Sequence, residues 1–518
     1  MATPSRTASE RPLAWRLLLG LAALQFALHV LSNGRFGMFR DEYYYLACAD
    51  HLAWGYVDHP PLSIALLAAW RAALGDGVWA IRLLPAAAGA ALVFLTGALA
   101  RELGGRRAAQ TLAALAVLIM PALLVTTGFY SMNAFEPLVW LGALLLLVRA
   151  LRGDGLAPWL WLGALLGLGL LNKISVLLLG AGLAVGLVAT PARRAFATPG
   201  PWLAGAIALA LFAPHLVWQQ RHGWPTLEFM ANAQARKMIP LPPAAFLGEV
   251  ALETHPGNLL LWVVGLGWLF AARSVRERRW LRPLAWIWPV AAAVLILRHG
   301  KPYYLAPAQP LLLAAGAVAV VGWLERHWRF GAPLLIGLTA LGGAFTLPLA
   351  LPLLSPAETV DYLAASHLHG RSSEHGHEDD VLPQHFGDRF GWPEIARAVA
   401  DATATLSPEE RADCLVLCTN YGEAGAIDYY RKRGLDLPPV VCGHNSYWDW
   451  WPEGRGGETA IGINLSVEAL LTGYEEVTLF RVLDTPYAIP KEGRAAITIC
   501  RHRRVPLEEA RPYYRHLD

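Results

Sequence analysis

The chain has 518 residues, of which 55% are hydrophobic and 16% charged, with 43 Lys and Arg against 40 Asp and Glu. A mean hydropathy of +0.37 and a charged fraction well below the roughly 25% of soluble domains exclude an ordinary soluble globule and point to a polytopic membrane protein. The near-even charge balance gives no overall basic surface for nucleic acid, and Cys48, Cys414, Cys418, Cys442 and Cys500 form no metal-type CxxC pair.

Eleven apolar segments are long enough to be candidate spans. They lie near 13–31, 79–100, 108–127, 137–151, 157–171, 174–190, 202–218, 257–272, 283–297, 303–322 and 331–354. The first has no clear small-residue cleavage site and reads as a retained helix rather than a signal peptide. With the N-terminus in the cytoplasm, every second loop is basic: Arg101, Arg106 and Arg107; Arg149 and Arg152; Arg193 and Arg194; Arg273 to Arg282; Arg326 and Arg329. This is the positive-inside pattern. It places the other loops, and the polar tail after 355, on the outer face of the cytoplasmic membrane.

The first outer loop, "GRFGMFRDEYYYLACADHLAWGYVDHPPLS", carries Asp41, Glu42, Tyr43, Tyr44, Tyr45, Asp50, Asp58 and His59 beside an apolar span. Carboxylates at such a boundary are costly unless they face a polar cavity or a partner; the bland alternative is an interfacial aromatic belt with solvated acids. Residues 41–56 read as an amphipathic helix lying along the membrane surface, with Tyr45, Cys48, Leu52 and Tyr56 at helical spacing. It is closed by the prolines of "DHPPL", which would hold Asp41, Asp58 and His59 around a shallow pocket. The second outer loop, "TTGFYSMNAFEPLVW", aims Glu136 at the same depth, and Lys173 breaks an apolar run after Asn172. In "RHGKPYYLAPAQP", Arg298, His299 and Lys301 stand beside Tyr303 and Tyr304 at an outer boundary where cations are disfavoured. An anion such as phosphate suits that cluster, with snorkelling to lipid headgroups as the alternative.

From 355 the chain turns polar, and five strand-like runs, "CLVLCTN", "PPVVCG", "TAIGINL", "EVTLFRV" and "AITIC", alternate with helical spacing at 392–406 and 422–433. The prediction is a small exported α/β domain (355–518) after a membrane domain (1–354). Cys414 and Cys418, about 13 Å apart by strand rise, are not expected to bond each other. The first βα turn, "TNYGEAGAIDYY", puts Asn420, Tyr421 and Glu423 at a carboxyl edge where ligands of open sheets bind, or simply caps the helix. "SHLHGRSSEHGHEDD" (366–380) reads as a polar connector rather than a metal site, because its spacing fits no recognised ligand set. "GHNSYWDWWPEG" (443–454) is either a sugar-stacking surface or a turn packed by its own tryptophans.

Together, "FRDEYYYLACADHL", "DHPPL", "NAFEPLVW", "LNKIS" and "HGKPYYLAPAQP" resemble glycosyltransferase family 39, whose members include protein O-mannosyltransferases and lipid A aminoarabinose transferases. The resemblance covers about residues 13 to 330. It implies a GT-C fold of about eleven transmembrane helices and transfer of a sugar from a polyprenyl phosphate to an acceptor on the non-cytoplasmic face. It places Asp41 at the position of the catalytic base with Glu42 as its neighbour, and Glu136 where many relatives have aspartate. Lys301, Tyr303 and Tyr304 match the loop that approaches the donor phosphate. His59 of "DHPPL" stands where the aminoarabinose branch has lysine, which weakens any inference that the donor sugar is the same.

The resulting expectation is an inverting transfer with Asp41 as base. Lys301 and Tyr304, aided by Arg298, His59 or Lys173, would stabilise the leaving phosphate, and Tyr44, Asp58, Asn420, Tyr421 and Glu423 are candidate sugar or acceptor contacts. Expected partners are a polyprenyl-phosphate sugar, a glycolipid, polysaccharide or protein acceptor, and membrane lipid. No Gly-rich phosphate loop is present, so no nucleotide cofactor is expected; no metal ligands are assigned, and dependence on a divalent metal stays open. Two other classes stay in view: a transporter or flippase of lipid-linked glycans, which would favour midplane charges and paired halves, and a glycan-binding membrane scaffold.

Overall fold

The structure is a computed structural model in which residues 11–366 and 380–518 are described. The central part of the histidine-rich connector, 367–379, lies outside the described residues. In chain order the first helices are α1 (Trp15–Ser32), α2 (Arg40–Asp50), α3 (Leu62–Leu74), α4 (Val78–Glu102), α5 (Arg107–Leu118), α6 (Pro121–Thr126), α7 (Glu136–Arg152), α8 (Ala157–Asn172), α9 (Val176–Val188) and α10 (Pro199–Arg221). Four more apolar helices, Leu259–Ala271, Ile287–Leu297, Gln309–His327 and Gly331–Ala350, complete the hydrophobic part.

Among the described residues, seven helical stretches are long and apolar enough to cross a membrane: α1, α4, 132–152, α10, 279–297, 302–327 and 331–350. An eighth would be α9 with the following turn, a pair bent by 102°. The chain is a multi-pass membrane protein. The remaining three expected spans are shorter apolar helices, Arg107–Leu118, Ala157–Asn172 and Pro256–Ala271. The expected span 108–127 is not continuous. Pro121 has no N–H and restrains Met120 to an extended ψ of 113°, so the run divides into α5 and α6.

The tail contains a five-stranded sheet of β1 (Leu415–Cys418), β2 (Val440–Cys442), β3 (Ala460–Ile463), β4 (Tyr474–Val482) and β5 (Ala496–Arg503), in the order β2-β1-β3-β5-β4. β1 pairs parallel with β2 and β3, with Val416 opposite Val440 and Ile461, whereas β5 runs antiparallel to β3 and β4. β1, β2 and β3 are buried at every position, as a strand covered on both faces must be. All five cysteines are free and buried.

The expected surface helix 41–56 is corrected on two counts. The helix stops at Asp50, Leu52 is 63% and Trp54 60% exposed, and α2 lies not on lipid but between the membrane part and the helix Tyr421–Arg431 of the tail. Its residues Glu42 to Ala49 are all buried. Two glycines permit this approach. A Cβ on Gly425 would stand 2.9 Å from the Tyr43 backbone carbon, and one on Gly422 would stand 2.4 Å from Arg40 Cγ. The contact is pinned by Tyr43 and Tyr430 hydroxyls 3.4 Å apart, by an Arg433–Asp76 ion pair at 2.6 Å and by a Lys432–Asp50 pair.

Candidate functional site

The N-terminus of α2 is built on a buried ion pair. Arg82, near the start of α4, donates from Nε and Nη2 to the two Glu42 oxygens at 2.8 and 2.6 Å, and both side chains are fully buried. Arg82 also donates to the carbonyls of Asn33 at 2.6 Å and Gly37 at 2.7 Å. Glu42 further accepts the N–H groups of Phe39 at 2.8 Å and Tyr130 at 2.9 Å. Its acceptor capacity is therefore spent on protein, so Glu42 fixes where α2 begins and leaves nothing for a substrate. Glu42, expected as the catalytic neighbour of Asp41, thus stands in the structure as the anchor of α2.

Its neighbour Asp41 points elsewhere. Oδ1 accepts the Tyr421 hydroxyl at 2.9 Å, and Oδ2 has no hydrogen-bond partner among the described residues. Burial pushes the Asp41 carboxyl above its ordinary range, opposed by the Arg40 guanidinium, the Tyr421 hydrogen bond and the Lys301 ammonium, while Asp58 adds to the rise. Thus the first and fifth predicted outer-face segments, far apart in sequence, place Asp41 and Lys301 within electrostatic reach of each other. Arg40 is held by Asp388 at 3.5 Å and lies 5.7 Å from the Tyr421 ring. Tyr44 stacks on Tyr421 with centroids 4.6 Å apart and donates to Asp58 at 2.8 Å.

A second cluster lies where α7 begins and α8 ends. Glu136 pairs with Lys173 at 3.0 Å and accepts the Ser175 hydroxyl at 2.5 Å. Lys173 donates to Asn133 Oδ1 at 2.7 Å and sits 4.5 Å from the Tyr304 ring centroid and 5.9 Å from that of Tyr303. Lys301 lies 5.8 Å from the same Tyr303 ring. Tyr303 therefore sits between the two lysines, and Lys301 bridges this cluster to Asp41.

Several expected residues fall outside this arrangement. His59 is fully buried, with ring centroids of Tyr45, Tyr56 and Tyr44 at 4.8, 4.9 and 5.9 Å. Enclosed by phenol rings, His59, expected to assist at the phosphate, packs as a core residue of the loop. Arg298 is exposed at the end of the helix Ile287–Leu297 and joins neither cluster through a hydrogen bond or ion pair among the described residues. Asn420 caps the helix Tyr421–Arg431 by accepting the Gly422 and Glu423 N–H groups at 2.9 and 3.0 Å. Glu423 accepts the Thr419 N–H at 2.7 Å and Asn464 Nδ2 at 2.8 Å. These two, expected as sugar contacts, serve the turn, whereas Tyr421, from the same turn, reaches Asp41. Trp450 of the aromatic run stacks on His51 at 4.4 Å, so that run packs across the domain contact as well as on itself.

Arg82, Arg40 and Asp388 were not singled out by the sequence reading. Arg82 carried a usable signal, because an arginine five residues into an apolar span demands a buried partner. Asp388 carried none. For a metal, His444, His516 and Asp518 bring ligand atoms within 4.8 Å of one another. However, His444 Nδ1 faces the Tyr421 N–H at 3.3 Å, and the two His516 nitrogens face the carbonyls of Tyr514 at 2.8 Å and Thr419 at 3.1 Å. His444 Nε2 in turn faces the Asp518 carbonyl at 2.9 Å, so every ring nitrogen of the trio is engaged with protein as arranged.

Residues 58–218 match the family model described as dolichyl-phosphate-mannose-protein mannosyltransferase. The crystal structure of ArnT from Cupriavidus metallidurans bound to undecaprenyl phosphate superposes with a TM-score of 0.57 at 14% identity, covering 93% of this chain and 97% of that one. The fold is that of the GT-C glycosyltransferases. The apo form of the same ArnT gives a TM-score of 0.56 at 16% identity, with 94% and 97% coverage. An Archaeoglobus fulgidus oligosaccharyltransferase gives 0.49 at 12% identity over 82% of this chain and 63% of that one. No curated protein sequence matches the chain. Within the GT-C fold, the Asp41 and Glu136–Lys173 clusters sit at the end of the helix bundle that the tail covers.

Proposed function

We propose that this protein transfers a sugar from a polyprenyl-phosphate donor to an acceptor hydroxyl at the outer face of the cytoplasmic membrane, with inversion at the anomeric carbon. The observation that carries the reading is the Asp41 carboxylate, partly enclosed, held on one oxygen by Tyr421 and under the field of Arg40 and Lys301. Supporting it are the GT-C fold and the undecaprenyl phosphate named for the ArnT structure, which shares that fold.

In the reaction, the acceptor oxygen bonds to the anomeric carbon as the bond from that carbon to the phosphate oxygen breaks. The acceptor proton goes to Asp41 Oδ2, and the electron pair leaves with the polyprenyl phosphate. Arg40 and Tyr421 favour the ionised form of Asp41 and oppose the upward push of burial, as a base requires. Lys301, with Lys173 and Tyr304 behind it, stabilises charge on the departing phosphate. The prenyl tail stays in lipid beside the apolar helices. The tail domain, from about 355, lies outside on this reading and supplies Tyr421 as a positioning residue. Mass analysis of envelope glycolipids and glycoproteins from cells with and without the gene tests it. A sugar increment missing from one class and restored by the wild-type gene, but not by Asp41→Asn, is the expected result; unchanged glycans would oppose it.

A further inference from the structure

At the other end of the helix bundle is a cavity of about 540 Å³ whose lining includes Leu151, Leu156, Trp159, Arg194, Arg279 and Trp280. Its position follows from connectivity. α7 begins at Glu136, in the cluster described above, and runs 17 residues to Arg152, about 25 Å at 1.5 Å per residue. α8 returns from Ala157 at the cavity to Asn172, and α10 leaves it at Pro199 and ends at Arg221, beyond the His215 contact to the Trp54 carbonyl. These three helices, α7, α8 and α10, separate the cavity from Asp41 by the thickness of a hydrocarbon layer.

The lining is apolar on one side and cationic on the other. Neither Arg194 nor Arg279 has an ion-pair partner among the described residues, and no carboxylate lines the cavity. α8 and α10 both begin here without a side-chain cap, so their positive dipole ends lie at this end of the bundle. Two cations without a carboxylate around one volume, with two helix dipoles adding to the positive potential, call for a phosphate-bearing anion. The apolar lining residues Leu151, Leu156 and Trp159 suit an acyl-chained anion better than a free one; basic pockets between spanning helices take acidic phospholipid headgroups in this way.

We infer that this cavity binds the headgroup of an anionic phospholipid in the leaflet opposite Asp41. The experiment uses the purified full chain in neutral detergent, with native mass spectrometry and thermal unfolding as readouts. The probes are phosphatidylglycerol, phosphatidylcholine and inorganic phosphate at matched concentrations. Phosphatidylglycerol should be retained and raise the unfolding temperature, with at least tenfold weaker effect from phosphatidylcholine. Arg194→Ala with Arg279→Ala should weaken phosphatidylglycerol binding tenfold or more, and the paired Arg→Lys variant, which keeps the charges, should retain most of it. Equal effects of the two lipids, an equal effect of inorganic phosphate, or full retention by the double alanine variant would overturn the assignment. Loss of binding in the lysine variant as well as the alanine one, with both variants folded, would also overturn the charge-based argument.

Discussion

Replacing Arg82 by methionine is expected to cost more stability than replacing Arg82 and Glu42 together. Arg82→Met strands a fully buried carboxylate and removes four hydrogen bonds, two to Glu42 and two to the carbonyls of Asn33 and Gly37. Breaking a buried pair from one side costs about 3–5 kcal/mol. In Arg82→Met/Glu42→Gln the charge is gone, and the amide oxygen can still accept one of the two N–H groups that Glu42 now holds. Recovery of about 2 kcal/mol is therefore expected, within the usual range of coupling energies for contacting residues. The assay is a double-mutant cycle by unfolding in detergent at a fixed scan rate, with transfer activity in parallel. The single variant should also lose about 100-fold in transfer, because Glu42 sets the start of α2 and a shift of about 1 Å at Asp41 has that scale. A single variant within about 1 kcal/mol of wild type, or no recovery in the double, would refute the view that this pair positions the site.

Tyr421→Phe keeps the stacking on Tyr44 but removes the hydrogen bond that favours ionised Asp41. Its loss raises the Asp41 carboxyl further, so the acid limb of the kcat/KM profile should move to higher pH, and an unmoved limb would exclude this role for Tyr421. Gly425→Val should separate the helix Tyr421–Arg431 from α2, since even a Cβ would meet the Tyr43 backbone carbon at 2.9 Å; hydrogen exchange in 40–50 should increase, and unchanged protection would show the contact to be compliant. Glu492 is raised from 4.5 to about 7 by burial and by Glu423. Folded protein then binds the proton that unfolded chain releases, so stability is retained below pH 4.5, falls as pH rises to about 7, and is flat above. Glu492→Gln should flatten that slope, whose upper limit is about 3 kcal/mol; equal slopes in both proteins would contradict it.

The apolar segments and the five strand-like runs were legible because length and period survive without tertiary information. The position of Asp41 in "FRDE" was legible as well, through the cost of a carboxylate beside lipid. What escaped depends on contacts between distant segments. The run 41–56 was read as lying on lipid because its aromatic residues suit an interface; it is instead covered by a helix nearly 400 positions later, through Gly422 and Gly425. Glu42 and Asp41 are adjacent and chemically alike, and only the Arg82 partner separates a structural role from an available carboxylate. His59 looked like a cation-bearing neighbour of the prolines, yet three tyrosines enclose it. Pro121 was visible in the sequence, and its effect on the 108–127 run could have been foreseen from its missing N–H.

The most direct measurement is transfer by purified protein from a polyprenyl-phosphate sugar, with donor binding measured separately for Asp41→Asn and Lys301→Ala. Asp41→Asn should bind donor yet lose about 10²- to 10⁴-fold in the chemical step, and Lys301→Ala should lose both donor affinity and rate. Near-normal transfer by both variants would contradict a shared site built from Asp41 and Lys301.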